Sequence, residues 1–459
     1  MSAGGVLSAV FWGVVTLSLL VFVHEGGHYL AARAFGVRVT EFFLGMPCRA
    51  RLSHKLERYG TEVGVTPVLL GGYTRICGME GEQDELLAQA FAVVQREGRV
   101  SAAAVASELG CDVDRSYDLL ATLTDWAAIR PFYDESKGER PSQGTYPEQF
   151  ETLRRDPAFL TEYDRAHDFS LPGTTAAGEA RPLDCGADEA LARERSHTYL
   201  GCGFWKRFWM LFAGPLVNVA LAFVLAVSAF CVMGQQVVVD SNVIASVTEG
   251  SLADQAGLQA GDAVTRVGDA EVSDWSDLVD AVRQGLTPGS SVEVDYVRDG
   301  EQRTTTIEVP EGEGQLLGVN AQTTTYHPGV LEASRWAVSY AGLVASFAVR
   351  LIVPTQTMQV LDSSTSIVGI SVMASEAASQ GAMSVVSLLA AISMSLGFMN
   401  LLPIPPLDGG KILIEVIQVA IRRPLSVRAQ SVVSYVGLAF FAFVFVVVLK
   451  NDVSRLLIG

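Results

Sequence analysis

The sequence has no cysteine pattern that would indicate a disulfide framework or a zinc ribbon. Its 459 residues include six cysteines without a Cys-x-x-Cys pair, and we interpret them as free thiols. They are Cys48, Cys77, Cys111, Cys185, Cys202 and Cys231. Basic residues are also scarce, because 33 lysines and arginines stand against 50 acids and give a formal charge of −17. This balance argues against a nucleic-acid-binding function for the chain as a whole.

The N-terminal apolar stretch lacks the basic start and the cleavage site of a signal peptide, so we predict that it is retained. The chain is 49% hydrophobic with a mean hydropathy of +0.30, which indicates a membrane-embedded protein with soluble domains attached. Apolar segments predict four spans, at about 5–35, 208–233, 384–402 and 432–449. Basic residues beside these spans favour a topology with both termini outside the cytoplasm.

The first apolar segment contains three ionisable residues, His24, Glu25 and His28. On a helix, residues four apart project from the same face, so the two histidines can bind one metal ion. Glu25 is placed to take a proton from a water on that metal. Ionisable side chains inside a membrane helix are costly, and a functional role is therefore the default interpretation. Two histidines, a third ligand from elsewhere and an open position for water are typical of a hydrolytic zinc site.

Short β-like runs at 37–43 and 62–70 follow the first span and end in Gly71 and Gly72. Paired glycines after an apolar run indicate a tight turn or a close backbone approach. Two interpretations stay open. The segment is either an ordinary hairpin or a re-entrant sheet beside the metal-binding helix, which would offer an edge strand to an extended substrate.

These features together resemble the bacterial site-2 protease family of intramembrane zinc metalloproteases. The resemblance is carried by the intramembrane His-Glu-x-x-His motif, by Gly60-Thr-Glu62 and by Leu70-Gly-Gly-Tyr73. It implies a second membrane helix with Gly-Pro-x-x-Asn, an extracytoplasmic PDZ domain and a late Asn-x-x-Pro-x-Pro-x-Leu-Asp-Gly motif. The chain has Gly214-Pro215 followed by Asn218 in its second predicted span, and the late motif occupies residues 400–409.

The late motif supplies the missing third ligand, Asp408. Three prolines within 403–406 cannot sit in a regular helix, so this segment is predicted to be extended and buried in protein. A carboxylate joined to two histidines gives the open three-ligand zinc site of a hydrolase, and the resemblance implies the same role for Asp408. The residues that we predict to bind substrate are Gly71, Gly72, Tyr73, Asn218, Asn400, Pro403 and Pro405.

An acidic insertion, 82–198, separates the first two spans. Its first part, 82–135, has three short helical runs that resemble a winged helix. The third run is predominantly acidic, which argues against DNA and favours a cytoplasmic protein as its partner. The second part, 136–203, is rich in proline, glycine, threonine and acids, and we predict a linker with one helix near 146–167.

Residues 237–309 resemble one PDZ domain, a fold that can add a peptide to its sheet edge. It would filter substrates by the size of their ectodomain or bind new peptide C-termini, and a structural spacer of the same fold stays an alternative. The segment 332–357 has one apolar face but includes Arg335, Arg350 and Pro354, so we predict a helix at the outer surface rather than a span. Residues 366–370 depart from the family pattern because they lack its proline.

The predicted fold is a polytopic α-helical membrane protein with about four spans and a re-entrant β element, an α+β PDZ domain and a mostly α cytoplasmic insertion. We divide the chain into 1–81 (first membrane helix and β element), 82–135 (winged-helix-like insertion), 136–203 (acidic linker), 204–235 (second membrane helix), 236–312 (PDZ domain), 313–381 (surface-lying helical region), 382–421 (third membrane helix with the Leu-Asp-Gly-Gly motif) and 422–459 (fourth membrane helix).

The predicted function is an intramembrane zinc endopeptidase of the bacterial inner membrane, which uses Zn²⁺ to cleave the transmembrane segment of a single-span membrane protein. The resemblance most often implies an anti-sigma factor as substrate, with remnant signal peptides next. Two alternatives are a zinc transporter, which would need more polar residues along the spans, and a scaffold with a vestigial metal site, which would not need Glu25.

Overall fold

A computed structural model of the chain describes residues 3–69, 71–79, 84–139, 147–311, 317–423, 425 and 427–458. The chain divides into two compact units, one of residues 1–226 with 336–459 and one of residues 227–335. Leu70, the first residue of the predicted Leu-Gly-Gly-Tyr motif, lies outside the described residues.

The larger unit begins with a long helix, α1 (Ala3–Ala34), whose apolar sequence contains no proline. Four strands follow, β1 (Val39–Leu44), β2 (Leu52–Lys55), β3 (Glu62–Val65) and β4 (Gly72–Ile76). They form one sheet in the order β2-β3-β1-β4, in which β1 is parallel to β3 and antiparallel to β4. The two predicted β-like runs are therefore parallel neighbours and not the arms of one hairpin. The intervening strand β2 allows this arrangement, because it forms its own hairpin with β3.

The next segment folds around an apolar core of its own. Its elements are α2 (Leu87–Glu97), β5 (Arg99–Ser101), α3 (Ala102–Leu109), α4 (Val113–Asp125), β6 (Ile129–Phe132), a short 3-10 helix (Glu135–Lys137), β7 (Gln149–Thr152) and α5 (Ala187–Ser196). The three predicted helices are present. Ser101 and Asp112 cap the second and third, because their side chains accept hydrogen bonds from the backbone N–H three residues ahead.

Residues 147–203, which we predicted to be a linker, are folded. Strand β7 replaces the helix predicted near 146–167, and it lies between β5 and β6 in a three-stranded sheet. Phe150 and Leu153 are buried, and Ala190 of α5 packs into the same core as α2 and α4. The linker prediction was wrong because a polar composition does not reveal that Arg155 and Glu194 are buried as a pair, with Arg155 Nη1 2.7 Å from Glu194 Oε1.

Helix α6 (Phe204–Met233) contains Pro215. The smaller unit is an α+β fold with the elements β8 (Gln235–Val238), β9 (Ile244–Val247), α7 (Leu252–Gln255), β10 (Ala263–Val267), β11 (Ala270–Glu271), α8 (Trp275–Gly285), β12 (Ser291–Arg298), β13 (Glu301–Glu308), β14 (Val319–Ala321) and β15 (Thr323–Tyr326). Its main sheet is antiparallel in the order β11-β10-β12-β13, while β14 pairs with β9 and β15 with β8. Its core includes Ile244, Val264, Val294 and Ile307.

Six helices complete the chain, α9 (Val330–Leu351), α10 (Thr357–Ser363), α11 (Ile367–Gln380), α12 (Ala382–Asn400), α13 (Asp408–Ile421) and α14 (Val427–Ile458). Helix α11 packs along α1, with Ser375 Oγ 2.7 Å from Ser8 Oγ, although we predicted that 313–381 lies on the surface. The segment 382–421, predicted as one membrane helix, consists of α12 and α13. They are separate because the prolines of 403–406 cannot continue α12.

Four helices are long and apolar enough to cross a membrane, Gly4–Ala34, Phe204–Met233, Ala382–Asn400 and Arg428–Ser454. They coincide with the four predicted spans. Within the described residues α9 is not among them. The chain is thus a polytopic membrane protein with mixed helical and sheet structure.

Candidate metal centre

The metal site begins on α1, where His24 and His28 lie one helical turn apart. Their rings meet edge to face with centroids 4.9 Å apart, and their Nε2 atoms are 3.3 Å apart. Both side chains are more than nine-tenths buried. The spacing of four residues therefore produces the shared face that the sequence predicts.

Asp408 completes the cluster from the first position of α13. Its Oδ2 lies 2.9 Å from His24 Nε2 and 3.2 Å from His28 Nε2, and its side chain is 12% exposed. The three ligand atoms lie within 4.8 Å of one another, and the described residues contain no second group of this kind.

The donor set and its spacing fit zinc. Ligands at about 2.0–2.1 Å from a tetrahedral zinc are separated from each other by about 3.3 Å, close to the 2.9, 3.2 and 3.3 Å found among these three atoms. Two imidazoles and one carboxylate also leave one position of a tetrahedron open, as hydrolytic zinc sites require.

Both histidines are held at their other ring nitrogen. His28 Nδ1 lies 2.7 Å from the backbone oxygen of Met210, so it donates there and leaves Nε2 as the acceptor that a metal needs. His24 Nδ1 lies 3.4 Å from the side-chain amide of Asn218, which is fully buried. If Nε2 faces a metal, Nδ1 carries the proton, and the amide must present its oxygen, which otherwise has no partner.

Two glycines allow α1 and α6 to approach closely at the site. A Cβ at Gly27 would collide with the backbone of Ala213 and Gly214, and a Cβ at Gly214 would collide with His28 Nε2. The Gly-Pro-x-x-Asn segment therefore has two roles at this crossing. Gly214 leaves room for the His28 ring, and Asn218 contacts the His24 ring.

Asp408 is positioned by the chain on both sides of it. Gly409 and Gly410 pack directly on the backbone of residues 401–405, where no Cβ would fit. Further along α13, Glu415 is buried, and its Oε1 accepts hydrogen bonds from Tyr199 Oη and Arg207 Nη1, each at 3.2 Å. Arg207 Nη1 also lies 3.0 Å from Glu415 Oε2 in the same ion pair. These contacts fix α13 relative to the start of α6.

Sequence reasoning did not identify the anchor residues Tyr199, Arg207 and Glu415. Glu415 does offer a sequence signal, because it is the single charged residue in the run 412–421, which is otherwise apolar except for Gln418, and such residues usually have a specific partner. The backbone oxygen of Met210 has no sequence signal at all.

Glu25 borders the cluster from the adjacent position on α1 and is half-buried. In the described part of the chain its carboxylate forms no hydrogen bond or ion pair, while its backbone oxygen accepts from Thr74 Oγ1 at 3.0 Å. Strand β4 thus lies beside Glu25, and a Cβ on Gly72 would be 3.7 Å from Glu25 Cγ. Gly71 is close to Val21, which belongs to the same helix as Glu25, α1.

Tyr73 is directed away from this site, because alternate residues of a strand face opposite sides of the sheet. Its ring stacks on Phe43 with centroids 5.4 Å apart. Burial, together with the Glu41 carboxylate, raises the pKa of Tyr73 to about 12. We predicted that the Tyr73 side chain contacts substrate at the metal site. This stays a prediction, and the placement of the side chain does not favour it.

The late-motif residues have mixed environments. The Asn400 amide donates to Leu396 O at 3.0 Å within its own helix, and Pro403 is exposed. Pro405 is buried, and its carbonyl is covered by α14 at Gly437. Within the described residues, none of these contacts reaches the three ligand residues, so their proposed contact with substrate stays a prediction.

Known proteins match this chain over most of its length. The sequence profile of peptidase family M50 matches residues 12–444. The zinc metalloprotease RasP of Shouchella clausii is 28% identical over 465 residues, which cover 96% of this chain and 98% of that protein. The regulator of sigma-W protease RasP of Bacillus subtilis is 25% identical over 449 residues, covering 96% and 97%.

The family match spans both histidines, the α6 segment and Asp408, and the Shouchella clausii relative is a zinc metalloprotease by name. The chain therefore belongs to peptidase family M50, the site-2 protease family, and is an intramembrane zinc metalloprotease.

Proposed function

We propose that His24, His28 and Asp408 hold the catalytic zinc and that Glu25 is the general base. The observation that carries this proposal is the convergence of Nε2, Nε2 and Oδ2 at spacings of 2.9 to 3.3 Å. Bound zinc would lower the pKa of a water toward neutrality and polarise the scissile carbonyl.

Glu25 performs the proton transfers. Its carboxylate is adjacent to the ligand His24 on α1 and is not engaged by another described side chain, so it is available to a water in the open position. It would take the proton of the attacking water and deliver a proton to the leaving amine. Asn218 and the Met210 carbonyl hold the two imidazoles in the orientation that leaves Nε2 unprotonated.

Among the described strands β4 is an edge strand of its sheet, and this edge would hold the substrate extended. Gly45 N–H donates to Gly71 O at 2.7 Å, which places the backbone groups of Gly71 toward β1. Those of Gly72 and Thr74 then face away from β1, beside Glu25, because alternate residues of a strand present their backbone to opposite edges. An unwound segment of a membrane helix can pair there, which would bring its peptide bonds to the zinc.

The substrate class is single-span membrane proteins, and an anti-sigma factor is the first candidate. The Bacillus subtilis relative carries the name regulator of sigma-W protease, which supports this class. Remnant signal peptides are the next candidate.

We place the chain in the bacterial inner membrane with residues 36–206 in the cytoplasm. Both termini and residues 236–312 then lie outside. The support is the basic character of 33–58, which follows the first candidate span, and of Lys206 and Arg207 at the start of the second.

The smaller unit is proposed to be a PDZ domain that acts as a size filter or as a reader of new C-termini. Its antiparallel sheet with the edge strand β13 supports a fold that accepts a peptide strand. Deleting 237–310 should permit cleavage of substrates that keep their full ectodomain, and a persistent failure to cut them would contradict the filter role.

The insertion is proposed to be a winged helix that binds a cytoplasmic protein. Three helices and the β5-β7-β6 sheet support the fold. Asp112 caps the N-terminus of α4, and Asp114 and Asp118 lie in its first two turns. Such a face repels phosphate, so a shift of duplex DNA by the purified protein at physiological salt would contradict this proposal.

The decisive experiment measures cleavage of a single-span substrate by detergent-purified protein and its Glu25→Gln variant, with bound zinc determined in both. We expect cleavage to fall by about 10² to 10⁴-fold in the variant while zinc content is unchanged. A variant that cleaves normally would remove Glu25 from the mechanism. A matched control is Glu162→Gln, which changes an acid far along the chain that pairs with Lys55.

A further inference from the structure

Three arginines that form no ion pair within the described residues gather near Tyr59, where α1 ends. The Cζ atom of Arg33 lies 4.8 Å from the centroid of the Tyr59 ring, and that of Arg58 lies 5.4 Å from it. Arg165, from the insertion, donates from Nη1 to the backbone oxygen of Arg33 at 3.4 Å. Three separate parts of the chain therefore bring guanidinium groups to one place.

The nearby acids are already engaged elsewhere. Asp164 accepts two hydrogen bonds from Arg38, at 2.7 and 2.6 Å, and lies 3.1 Å from His197 Nδ1. Glu162 pairs with Lys55 at 2.7 Å. Within the described ranges no carboxylate forms an ion pair with Arg33, Arg58 or Arg165. In a chain with a formal charge of −17, such a surplus of positive charge calls for an external anion.

A cavity of about 260 Å³ opens at this place, lined by Arg58, Tyr59, Arg165, Ala166 and His167. No acid lines it. His167 Nδ1 donates to the backbone oxygen of Asp164 at 2.9 Å, which fixes the orientation of its ring at the cavity. Ala166 adopts φ +63°, a left-handed conformation that alanine seldom takes, and the residues on both sides of it contribute to the lining.

We propose that this cavity binds a phosphate group, and that its ligand is the phosphate of an anionic lipid headgroup at the cytoplasmic membrane surface. Guanidinium groups bind phosphate oxygens in pairs of hydrogen bonds, and a cleft lined by two arginines and a tyrosine but no acid suits that chemistry. The assignment to lipid depends on the proposed topology, in which α1 reaches the cytoplasmic surface at Ala34, next to Arg33. A soluble phosphate compound would share the chemistry.

The site would connect the insertion to the helix that carries the metal ligands. Arg165 belongs to the insertion, Arg58 to the loop between β2 and β3, and Arg33 to the last turn of α1. A bound headgroup would neutralise Arg58 and Arg165, which line the cavity, and attach the insertion to the membrane surface. Substrate cleavage is not part of this proposal, so its test does not depend on the protease assay.

The test compares full-length detergent-purified protein with Arg58→Ala/Arg165→Ala. Native mass spectrometry measures the binding of phosphatidylglycerol and, as a neutral reference, phosphatidylcholine, while calorimetry measures inorganic phosphate. The matched control is Arg96→Ala/Arg193→Ala, which removes two exposed arginines that have carboxylate partners, Glu108 at 2.6 Å and Glu189 at 2.8 Å.

We expect affinity for phosphatidylglycerol to fall by about tenfold or more in the first variant and by less than about twofold in the control. Binding of inorganic phosphate that is lost in the same variant, without preference for phosphatidylglycerol, would support the phosphate site and assign it to a soluble ligand. Equal losses in both variants, or no loss in the first, would overturn the proposal. Arg58→Lys/Arg165→Lys, which keeps the charge, should retain part of the binding and serves if the alanine variant does not fold.

Discussion

Two buried clusters of charged and titratable side chains lie in the larger unit, and they differ in their balance of positive and negative charge. The metal cluster, His24, His28 and Asp408, brings three electron-pair donors together without a cation. The ion quartet, Arg38, Arg155, Asp164 and Glu194, contains two cations and two anions, each side chain at most 2% exposed.

The ratio of cations to anions distinguishes a ligand-binding site from a structural contact. In the quartet, Arg38 contacts both acids, at 2.6 Å from Asp164 Oδ2 and 2.6 Å from Glu194 Oε2, and Arg155 completes it on Glu194 at 2.7 Å. It needs no ligand. The metal cluster has the opposite property, because its three electron-pair donors converge on one point, where a cation can bind all of them.

The quartet also explains why 147–203 is folded. Arg38 lies shortly after α1, which ends at Ala34, while Asp164 and Glu194 belong to the insertion. Arg38 donates in addition to the backbone oxygen of Ala127 at 3.1 Å. One arginine thus joins the end of the metal-binding helix to three parts of the insertion.

The largest effect is expected from Asp408→Ala, which removes one of the three donors. Loss of a residue that only hydrogen-bonds to a metal ligand lowers metal affinity by roughly 10–100-fold. Loss of the ligand Asp408 itself should lower zinc affinity by more than this, and cleavage should be lost with it. Bound zinc after dialysis is the measurement, with the exposed acid Asp168→Ala as control. Full zinc retention in the Asp408 variant would mean that the metal cluster is not the zinc site.

Arg38→Ala tests the quartet by leaving two acids buried with one cation. Removing one partner from a buried ion pair costs about 3–5 kcal/mol, so the thermal transition of the insertion should fall markedly. Arg96→Ala, on an exposed ion pair of the same insertion, should change it little. A transition that is unchanged in the Arg38 variant would contradict the structural role of the quartet.

Asn218→Ala tests whether Asn218 acts on the zinc ligand rather than on substrate. Because its amide holds the His24 ring, we expect zinc affinity to fall by about 10–100-fold, with cleavage partly restored at high zinc. Asn400→Ala, which alters a predicted substrate contact, should raise KM and leave zinc affinity unchanged. The reverse pattern would return Asn218 to the substrate site.

The smallest expected effect is the pH dependence of the stabilisation that the quartet contributes. Burial alone would raise the pKa of Asp164, but Arg38 and His197 outweigh it and hold the pKa well below its usual range, and Arg155 and Arg38 similarly lower the pKa of Glu194. The unfolded chain then binds more protons than the folded one, so this stabilisation is complete above about pH 4, the unfolded value, and declines as pH falls below it.

Thermal unfolding between pH 3 and pH 7 measures this dependence. Asp164→Asn should flatten the acid decline, because one of the two depressed carboxyl groups is gone. A decline of the same steepness in that variant would show that other carboxyl groups cause it.

The sequence alone determined the features that depend on local spacing. Two histidines four residues apart share a helix face, and Glu25 stands next to one of them. Apolar length predicted the four candidate spans, and the breaks at Gly98 and Gly110 separated the three helices of the insertion. The three prolines of 403–406 predicted the end of α12. Each of these follows from interactions within a few residues of the chain.

The tertiary structure decided which distant residues meet. Asp408 reaches His24 across 384 residues of sequence, and the amide of Asn218 lies against that same histidine. The parallel pairing of β1 with β3 and the ion quartet likewise join segments whose local sequences do not specify a partner. Burial removes such groups from water, so they must find one another, and the choice of partner depends on the packing of whole elements rather than on the residues beside them.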